Sequence, residues 1–186
     1  MKTIRNSDLV EVPWKNGGGV TRDISSAAVN GKLIWRISMA DVAHDGAFSE
    51  FSGLQRILTV IRGNGMVLES SHNVLQADPH KPVHFDGNTS VFARLKSGAS
   101  TNLNVMFDPF YCDADVTVIK GPSQEFMTTE ETKEVAVHCL SGTAHIDADH
   151  VLQPGDTAML SRPAAMSLDT GDAVLLINIQ HNTLNA

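Results

Sequence analysis

The sequence predicts an all-β protein made of two similar barrels or sandwiches. Three observations lead to this prediction. Most segments alternate apolar and polar residues with a period of two, they are short and bounded by turn residues, and the same pattern occurs twice along the 186 residues. A chain of this length can bury a substantial core, and many short strands at this spacing are typical of a sandwich or barrel.

The first half of the chain contains the clearest strand patterns. The segment GKLIWRISMADV places Trp35 and Ile37 on one face of a strand and Arg36 and Ser38 on the other. RILTVIRGNGMVLESS predicts two strands joined in a hairpin by a Gly-Asn-Gly turn, and TSVFARLKSGASTNLNVMFDP predicts a second pair joined around Gly98. Each of these strands is expected to bury one face.

The second half continues the series of short strands. Its strand patterns are DVTVIKG, EVAVHCLSG, TAHIDADH, TAMLSRP and DAVLLINIQ. The segment GPSQEFMTTEETKE is the best candidate for a helix or a loop.

The two halves resemble each other in sequence. RILTVIRGNGMVL is followed by NVLQADPHKPVHFDG, as EVAVHCLSGTAHI is followed by HVLQPGDTAMLSRP, with a slightly longer turn in the first copy. An internal duplication explains this economically. It predicts an N-terminal barrel over residues 1–110 and a C-terminal barrel over 111–186, with strands shared between the halves.

A glycine triplet follows Trp14, Lys15 and Asn16 in the segment WKNGGGV. A phosphate-binding loop needs its lysine after the glycines and before a helix, whereas Lys15 precedes them and the strand pattern VTRDI follows. Glycine permits positive φ and close approach of backbone. The segment is therefore predicted to be a tight bend or bulge between two strands.

Composition limits the classes of partner and compartment. With 14 Lys+Arg against 21 Asp+Glu and a net charge of -7, neither nucleic acid nor an anionic membrane is an expected partner. Cys112 and Cys139 are far apart and form no CxxC pattern, which predicts reduced core thiols. The N-terminus has no signal-peptide pattern, and no window approaches the roughly 18 apolar residues of a spanning helix. We expect a cytoplasmic protein.

The second copy carries the residues of a recognisable motif. LQPGDTAMLSRP, with its Pro-Gly-Asp turn and short strand, resembles the second sequence motif of cupins, and VHCLSGTAHI resembles the end of the first. Two copies imply a bicupin, that is, two jelly-roll-type β-barrels of the RmlC-like cupin fold.

Metal-dependent cupins carry a pair of histidines, a glutamate and a third histidine, which suit Fe, Mn, Ni or Zn. In the first copy the paired positions fall at about Ser49 and Phe51, and in the second copy the late histidine position falls near Met166. Only His80 and His84 among the eight histidines form a close pair, in a stretch interrupted by proline. We expect no metal and no cofactor.

Three blocks of the first half resemble the HutD/Ves family. They are VPWKNGGGVTRDI, WRISMADVAHDGAFSEFSGLQRILTVIRGNG and LNVMFD. The resemblance implies a bacterial cytoplasmic bicupin that binds a small molecule, is proposed to regulate histidine utilisation and has no established catalytic activity. Urocanate and formyl- or formimino-glutamate are then the candidate ligands. The Ves branch is associated instead with a cold-related stress response.

Binding of an anionic metabolite in a barrel requires a guanidinium for its carboxylate and a few neutral donors. If the strands of the first half line one barrel, polar side chains on their alternating faces converge on a pocket with aromatic walls. The candidate ligand-binding residues are Trp14, Asn16, Arg36, Ser38, Phe48, Ser49, Arg56 and Asn104.

Several alternatives remain open from the sequence. Arg36 and Arg56 are equally well explained by surface ion pairs with Asp41 or Glu50, because charged side chains are usually exposed. The serines can satisfy strand ends, and the two aromatic residues can belong to the core.

Two other functions remain open as well. One is a metal-free cupin isomerase or lyase with His44, Asp45 or Glu50 as general base. The other is a Ves-like structural or interaction protein. Bicupin architecture also makes a homodimer an expectation.

Overall fold

The computed structural model describes residues 1–15 and 17–182. These residues form β-strands joined by turns, with one short 3-10 helix at Asn6–Asp8. The strands, in chain order, are β1 Lys2–Ile4, β2 Glu11–Pro13, β3 Gly19–Val29, β4 Lys32–Val42, β5 Gly46–Ala47, β6 Gln55–Arg62, β7 Met66–Glu69, β8 Val74–Ala77, β9 Val83–Asp86, β10 Phe92–Leu95, β11 Ser100–Phe107, β12 Cys112–Lys120, β13 Ser123–Met127, β14 Lys133–Ser141, β15 Ala144–Ile146, β16 His150–Leu152, β17 Thr157–Leu160, β18 Ala164–Leu168 and β19 Ala173–His181. None of the described residues belongs to a helix long and apolar enough to cross a membrane.

The chain divides into two compact units. The N-terminal unit is Val10–Cys112, and the C-terminal unit consists of Met1–Leu9 together with the chain from Asp113 onward. The first residues belong to the C-terminal unit because β1 pairs with β17 and because Asp156 accepts hydrogen bonds from the Asn6 N–H and from Arg5. The sequence pattern predicts this boundary at residue 110 and assigns the first residues of the chain to the N-terminal barrel.

The N-terminal unit is a two-sheet barrel. One sheet has the order β2-β3-β4-β11-β6-β9 and the other the order β5-β10-β7-β8, and neighbouring strands in each sheet run antiparallel. Apolar side chains from alternate positions of both sheets form its core. That core contains Val42, Leu58, Val60, Met66, Leu68, Ala77, Val91 and Ala93.

The C-terminal unit repeats the same arrangement. Its sheets have the orders β1-β17-β14-β19-β12 and β13-β18-β15-β16. Strand β14 pairs with β17 and β19 as β6 pairs with β9 and β11, and β15 pairs with β16 and β18 as β7 pairs with β8 and β10. This shared pairing pattern supports the internal duplication predicted from the sequence.

Two predicted hairpins are wrong. Strands β6 and β7 both form, but they belong to different sheets, so the Gly63-Asn64-Gly65 turn carries the chain from one sheet to the other. Gly63 and Gly65 both have φ of 92° there, as such a sharp turn requires. The same is true of β10 and β11 around Gly98. Turn residues identify a reversal, whereas strand partners depend on long-range packing.

The expectation of a helix or loop in GPSQEFMTTEETKE is also partly wrong. Ser123–Met127 forms β13, an outer strand that pairs with β18 along its whole length. Met127 points into the core cluster, whereas Phe126 is exposed. One inward apolar side chain and cross-strand pairing are enough to hold a short strand that has weak intrinsic propensity.

Candidate ligand-binding site

A cavity of about 520 Å³ lies within the N-terminal unit. The side chains around it come from β2, β3, β4, β5, β6 and β11 and from the segments beside them. Its lining residues are Pro13, Trp14, Lys15, Thr21, Arg36, Ser38, Ala40, Ala47, Phe48, Ser49, Phe51, Arg56, Asn102, Asn104 and Met106. Cationic, amide, hydroxyl and aromatic groups are present, and none of these lining residues is Asp or Glu.

Strands β4 and β11 supply the polar floor of the cavity. They pair so that Ser38 lies opposite Asn104 and Ala40 lies opposite Asn102. These residues face the cavity because side chains alternate along a strand, and the intervening Met39 and Leu103 are buried on the other face. The period-two reading of GKLIWRISMADV therefore predicted the correct cavity face.

Arg56 is the central polar group of the site. The residue is only 4% exposed, yet among the described residues its guanidinium has no carboxylate within ion-pair distance. One Nη donates to the Ser49 carbonyl oxygen at 3.2 Å and the other to Asn104 Oδ1 at 3.2 Å. The buried Nε has no hydrogen-bond partner among the residues that the structure describes. The interpretation of Arg56 as a surface ion pair is wrong.

Aromatic rings surround the Arg56 guanidinium. Its Cζ atom lies 4.7 Å from the ring centroid of Phe85, 5.1 Å from that of Phe51 and 5.7 Å from that of Phe48. Contacts of this kind attract a cation through the ring quadrupole. Burial, and secondly the charge of Arg36, lower the pKa of Arg56 to about 10, so the group remains a cation at neutral pH.

Arg36 is also at the cavity but is held differently. Its Nε donates to Asp23 Oδ1 at 2.7 Å, and its Nη2 contacts the same oxygen. The expected carboxylate partner, Asp41, instead binds Arg22 at 2.6 Å. Arg36 therefore forms the surface ion pair that the sequence left open, with a different partner, while it still lines the cavity.

The described residues of the WKNGGGV segment form a bend between β2 and β3 at the cavity wall. The Trp14 N–H donates to the Gly19 carbonyl at 2.9 Å, and the Gly17 N–H donates to the Trp14 carbonyl at 3.0 Å. Gly17 has φ of 71°, and a Cβ at Gly19 would overlap the carbonyl oxygen of Asp41. The predicted tight bend is present, and it requires glycine for both of the expected reasons.

The bend fixes the indole of Trp14. Its Nε1 donates to Thr21 Oγ1 at 2.8 Å, and its ring packs edge-on against Phe48 with centroids 6.0 Å apart. Both rings line the cavity. They form an apolar wall whose position is set by a hydrogen bond as well as by packing.

The structure brings most of the predicted site residues together. Those that line the cavity are Trp14, Arg36, Ser38, Phe48, Ser49, Arg56 and Asn104. Asn16 lies outside the described residues. Ligand binding by these residues stays a prediction. Asn102 was not among the predicted site residues, although its alternation with Asn104 on β11 was a usable signal.

The donor set of the cavity does not fit a cupin metal. No His, Cys, Asp or Glu is among its lining residues, and no group of three or more such residues is placed to hold a metal anywhere in the described parts of the chain. Ser49 and Phe51, at the expected histidine positions, line the cavity, and Met166 is buried in the C-terminal core. No step of binding is therefore assigned to a metal.

The proposed general bases are also outside the cavity lining. His44, Asp45 and Glu50 are all exposed, and Asp45 Oδ1 accepts a hydrogen bond from the Leu95 N–H at 2.8 Å. None of the three is therefore placed among the lining residues to remove a proton from a molecule in the cavity.

Comparison with known proteins identifies the fold. Over 97% of this chain and 98% of the other, the structure matches HutD from Pseudomonas fluorescens SBW25 with a TM-score of 0.83 and 30% identity. A nickel-bound bacterial pirin from Escherichia coli, YhhW, matches over 96% of this chain and 98% of its own with a TM-score of 0.70. At 10% identity the pirin comparison shows the fold alone. The predicted all-β bicupin fold is confirmed.

Sequence comparison identifies the family. An uncharacterized 21.2 kDa protein in the hutC 3' region of Pseudomonas putida is 27% identical over 97% of this chain and 93% of its own length. Protein Ves of Citrobacter koseri is 33% identical over 73% of this chain and 72% of its own. The HutD family model matches residues 6–177. The chain therefore belongs to the HutD family, as the resemblance in the first half had indicated.

Proposed function

We propose that the N-terminal cavity binds a small organic acid and that the protein thereby takes part in regulating histidine utilisation. Urocanate and formyl- or formimino-glutamate are the candidate ligands. The observation that carries this proposal is the Arg56 guanidinium, which is buried among cavity-lining groups and has no carboxylate partner among the described residues.

The argument begins with the free energy of a buried charge. A cation removed from water is stabilised when an anion or several good acceptors replace the lost hydration. Within the described part of the chain, Arg56 has two neutral acceptors and a set of ring faces. A ligand carboxylate would supply the missing counter-charge and would accept charge-assisted hydrogen bonds from the guanidinium.

The rest of the cavity is consistent with an anion. Lys15, Arg36 and Arg56 are its cationic lining residues, and Arg36 is partly neutralised by Asp23. The volume of about 520 Å³ is within the range of small-molecule sites. Trp14 and Phe48 provide a wall against which a planar ring or a short carbon chain could pack.

The proposed pathway rests on family membership. A curated relative is described by its position in the hutC 3' region of Pseudomonas putida, and a solved relative is HutD of Pseudomonas fluorescens. Protein Ves is also a relative, and its name gives no support for this pathway. The proposed role in histidine utilisation therefore depends on the HutD matches.

Titration calorimetry with trans-urocanate, N-formyl-L-glutamate and N-formimino-L-glutamate tests the proposal. We expect at least one of them to bind the wild-type protein, with an affinity that falls as salt is added because the recognition is partly electrostatic. Arg56→Gln should weaken that binding about 100-fold, since a charged hydrogen bond to a buried carboxylate is lost.

Arg62→Gln is the matched control. Arg62 is on the same strand as Arg56 but is exposed and does not line the cavity. The Arg62→Gln variant should bind the three acids with the affinity of the wild type. If none of the three acids binds the wild-type protein, or if both variants lose affinity equally, the proposal is wrong.

A further inference from the structure

The cavity contains a chain of side-chain hydrogen bonds that begins at Arg56. Its Nη2 donates to Asn104 Oδ1 at 3.2 Å, and Asn104 Nδ2 donates to Asn102 Oδ1. Beyond that contact, Asn102 Nδ2 is buried and has no hydrogen-bond partner in residues 1–15 and 17–182. The chain thus ends on a donor that nothing in the described protein accepts.

The orientation of both amides follows from the guanidinium. A guanidinium can only donate, so Asn104 must present its oxygen to Arg56. The Asn104 nitrogen then faces Asn102, which can accept only through its own oxygen. Rotating either amide would place two donors against each other, so the free group at the end of the chain is an N–H donor.

The place of this donor is significant. Asn102 has no exposed surface, yet it lines the cavity beside Asn104 on β11. A buried polar group without a partner costs free energy, and native proteins leave few of them. The Arg56 Nε is a second such donor among the lining residues. Two unpartnered donors at one cavity indicate a ligand with two separate acceptors.

We propose that Asn102 Nδ2 is a second recognition group that selects acids carrying a neutral hydrogen-bond acceptor apart from the carboxylate. This inference rests on the proposed function, since Arg56 is assigned to the carboxylate. The acceptor is a carbonyl oxygen or an unprotonated ring nitrogen. An acid with only hydrocarbon at that point leaves the Asn102 donor buried and unpaired, and it binds more weakly.

A matched pair of probes tests the selection. trans-Urocanate and trans-cinnamate have the same acrylate group, but the phenyl ring of cinnamate has no nitrogen. N-formyl-L-glutamate and glutarate form an acyclic pair that differs in the formamide. In calorimetric titrations we expect the wild-type protein to prefer the acceptor-bearing member of at least one pair by about tenfold, the value of one buried hydrogen bond.

The variant Asn102→Leu removes the donor while nearly keeping the side-chain shape. The substitution also removes the Asn102 oxygen that accepts a hydrogen bond from Asn104, which can weaken binding of every probe. The quantity to compare is therefore the ratio of the two affinities within a pair, because this ratio isolates the coupling between Asn102 and the ligand acceptor. That preference should fall to within about twofold. Thr101→Val, on the same strand but outside the cavity lining, should keep the wild-type preference.

A measurement on the wild-type protein covers the case in which Asn102→Leu does not fold. The Asn102 side-chain NH₂ signals in nitrogen-proton correlation spectra should shift with the acceptor-bearing probe and stay in place with its partner.

The outcomes separate the two proposals. Equal binding of both members of each pair, or a preference that survives in Asn102→Leu, overturns the role of Asn102 and leaves acid binding standing. Absence of binding by all the probes overturns both.

Discussion

The Arg56 guanidinium and the Asn104 side-chain carbonyl, 48 residues apart in the chain, are joined by a buried hydrogen bond of 3.2 Å. Arg56 lies on β6 opposite Met106 of the neighbouring β11, and Asn104 is two residues from Met106, so the two side chains meet diagonally on one face of the sheet. The contact holds a cation with a neutral acceptor, in a cavity whose lining residues include no Asp or Glu. Replacing Arg56 by a neutral residue should therefore stabilise the ligand-free protein but weaken acid binding.

The first prediction concerns the ligand-free protein. Arg56→Met should raise its free energy of unfolding by up to about 1 kcal/mol, because removing a buried charge without a counter-ion relieves more desolvation cost than the lost neutral contacts supplied. Thermal and urea unfolding of both proteins, in a buffer without carboxylate or phosphate ions, measure the change.

A stabilising ligand should reverse this order. It should raise the unfolding temperature of the wild type only, since it binds the folded state and requires Arg56. A large loss of stability in ligand-free Arg56→Met would contradict the view that Arg56 is retained for binding.

The second prediction compares two glycines of the bend. A Cβ at Gly19 would overlap the Asp41 carbonyl and lie 3.3 Å from Cε3 of Trp14, whereas a Cβ at Gly17 would meet nothing within 4 Å. Gly19→Ala should therefore displace the bend and Trp14, destabilise the protein by about 2 kcal/mol or more and weaken acid binding.

Gly17→Ala serves as the comparison. It should cost only about 1 kcal/mol, from the positive φ of 71°, and leave acid binding unchanged. Chemical unfolding and calorimetry measure both effects. Equal loss of binding in the two variants would show that the contact with Asp41 is not what positions Trp14.

The third prediction concerns acid stability and the C-terminal unit. His138 is 1% exposed, and its Nδ1 lies 2.9 Å from Thr157 Oγ1. Burial lowers the pKa of His138 from 6.5 to about 4, against the opposing charge of Asp156. Between about pH 4 and pH 6.5, His138 is therefore protonated in the unfolded chain and neutral in the folded chain.

The sign of the effect follows from proton linkage. The stability associated with neutral His138 is complete above about pH 6.5 and is lost as the pH falls toward about 4, by roughly 3 kcal/mol in all. His138→Asn, which does not titrate, should be less stable at pH 7.5 but should lose less stability on acidification than the wild type.

The exposed His145 provides the control for this measurement. Urea unfolding of wild type, His138→Asn and His145→Asn at several pH values from 7.5 to 4.5 gives the slopes. Identical slopes for the wild type and His138→Asn would rule out a contribution from His138.

Much of the site was predictable because strand alternation is a local property. Ser38 faces the cavity because Ile37 beside it is buried on the opposite face, and the sequence alone shows that alternation. The two predicted hairpins are wrong because strand pairing, unlike alternation, depends on residues that are distant in the sequence. A Gly-Asn-Gly turn indicates that the chain reverses, but it does not determine whether β7 pairs with β6 or crosses to the other sheet.

The sequence by itself determined the all-β class, the internal repeat, the family and the face of each strand that carries polar groups. Only the tertiary structure decided that Arg36 pairs with Asp23 and that, among the described residues, Arg56 is buried without a carboxylate partner and Asn102 Nδ2 has no acceptor. These facts depend on which distant strands become neighbours and on how much water their packing excludes, and no local pattern encodes either of them.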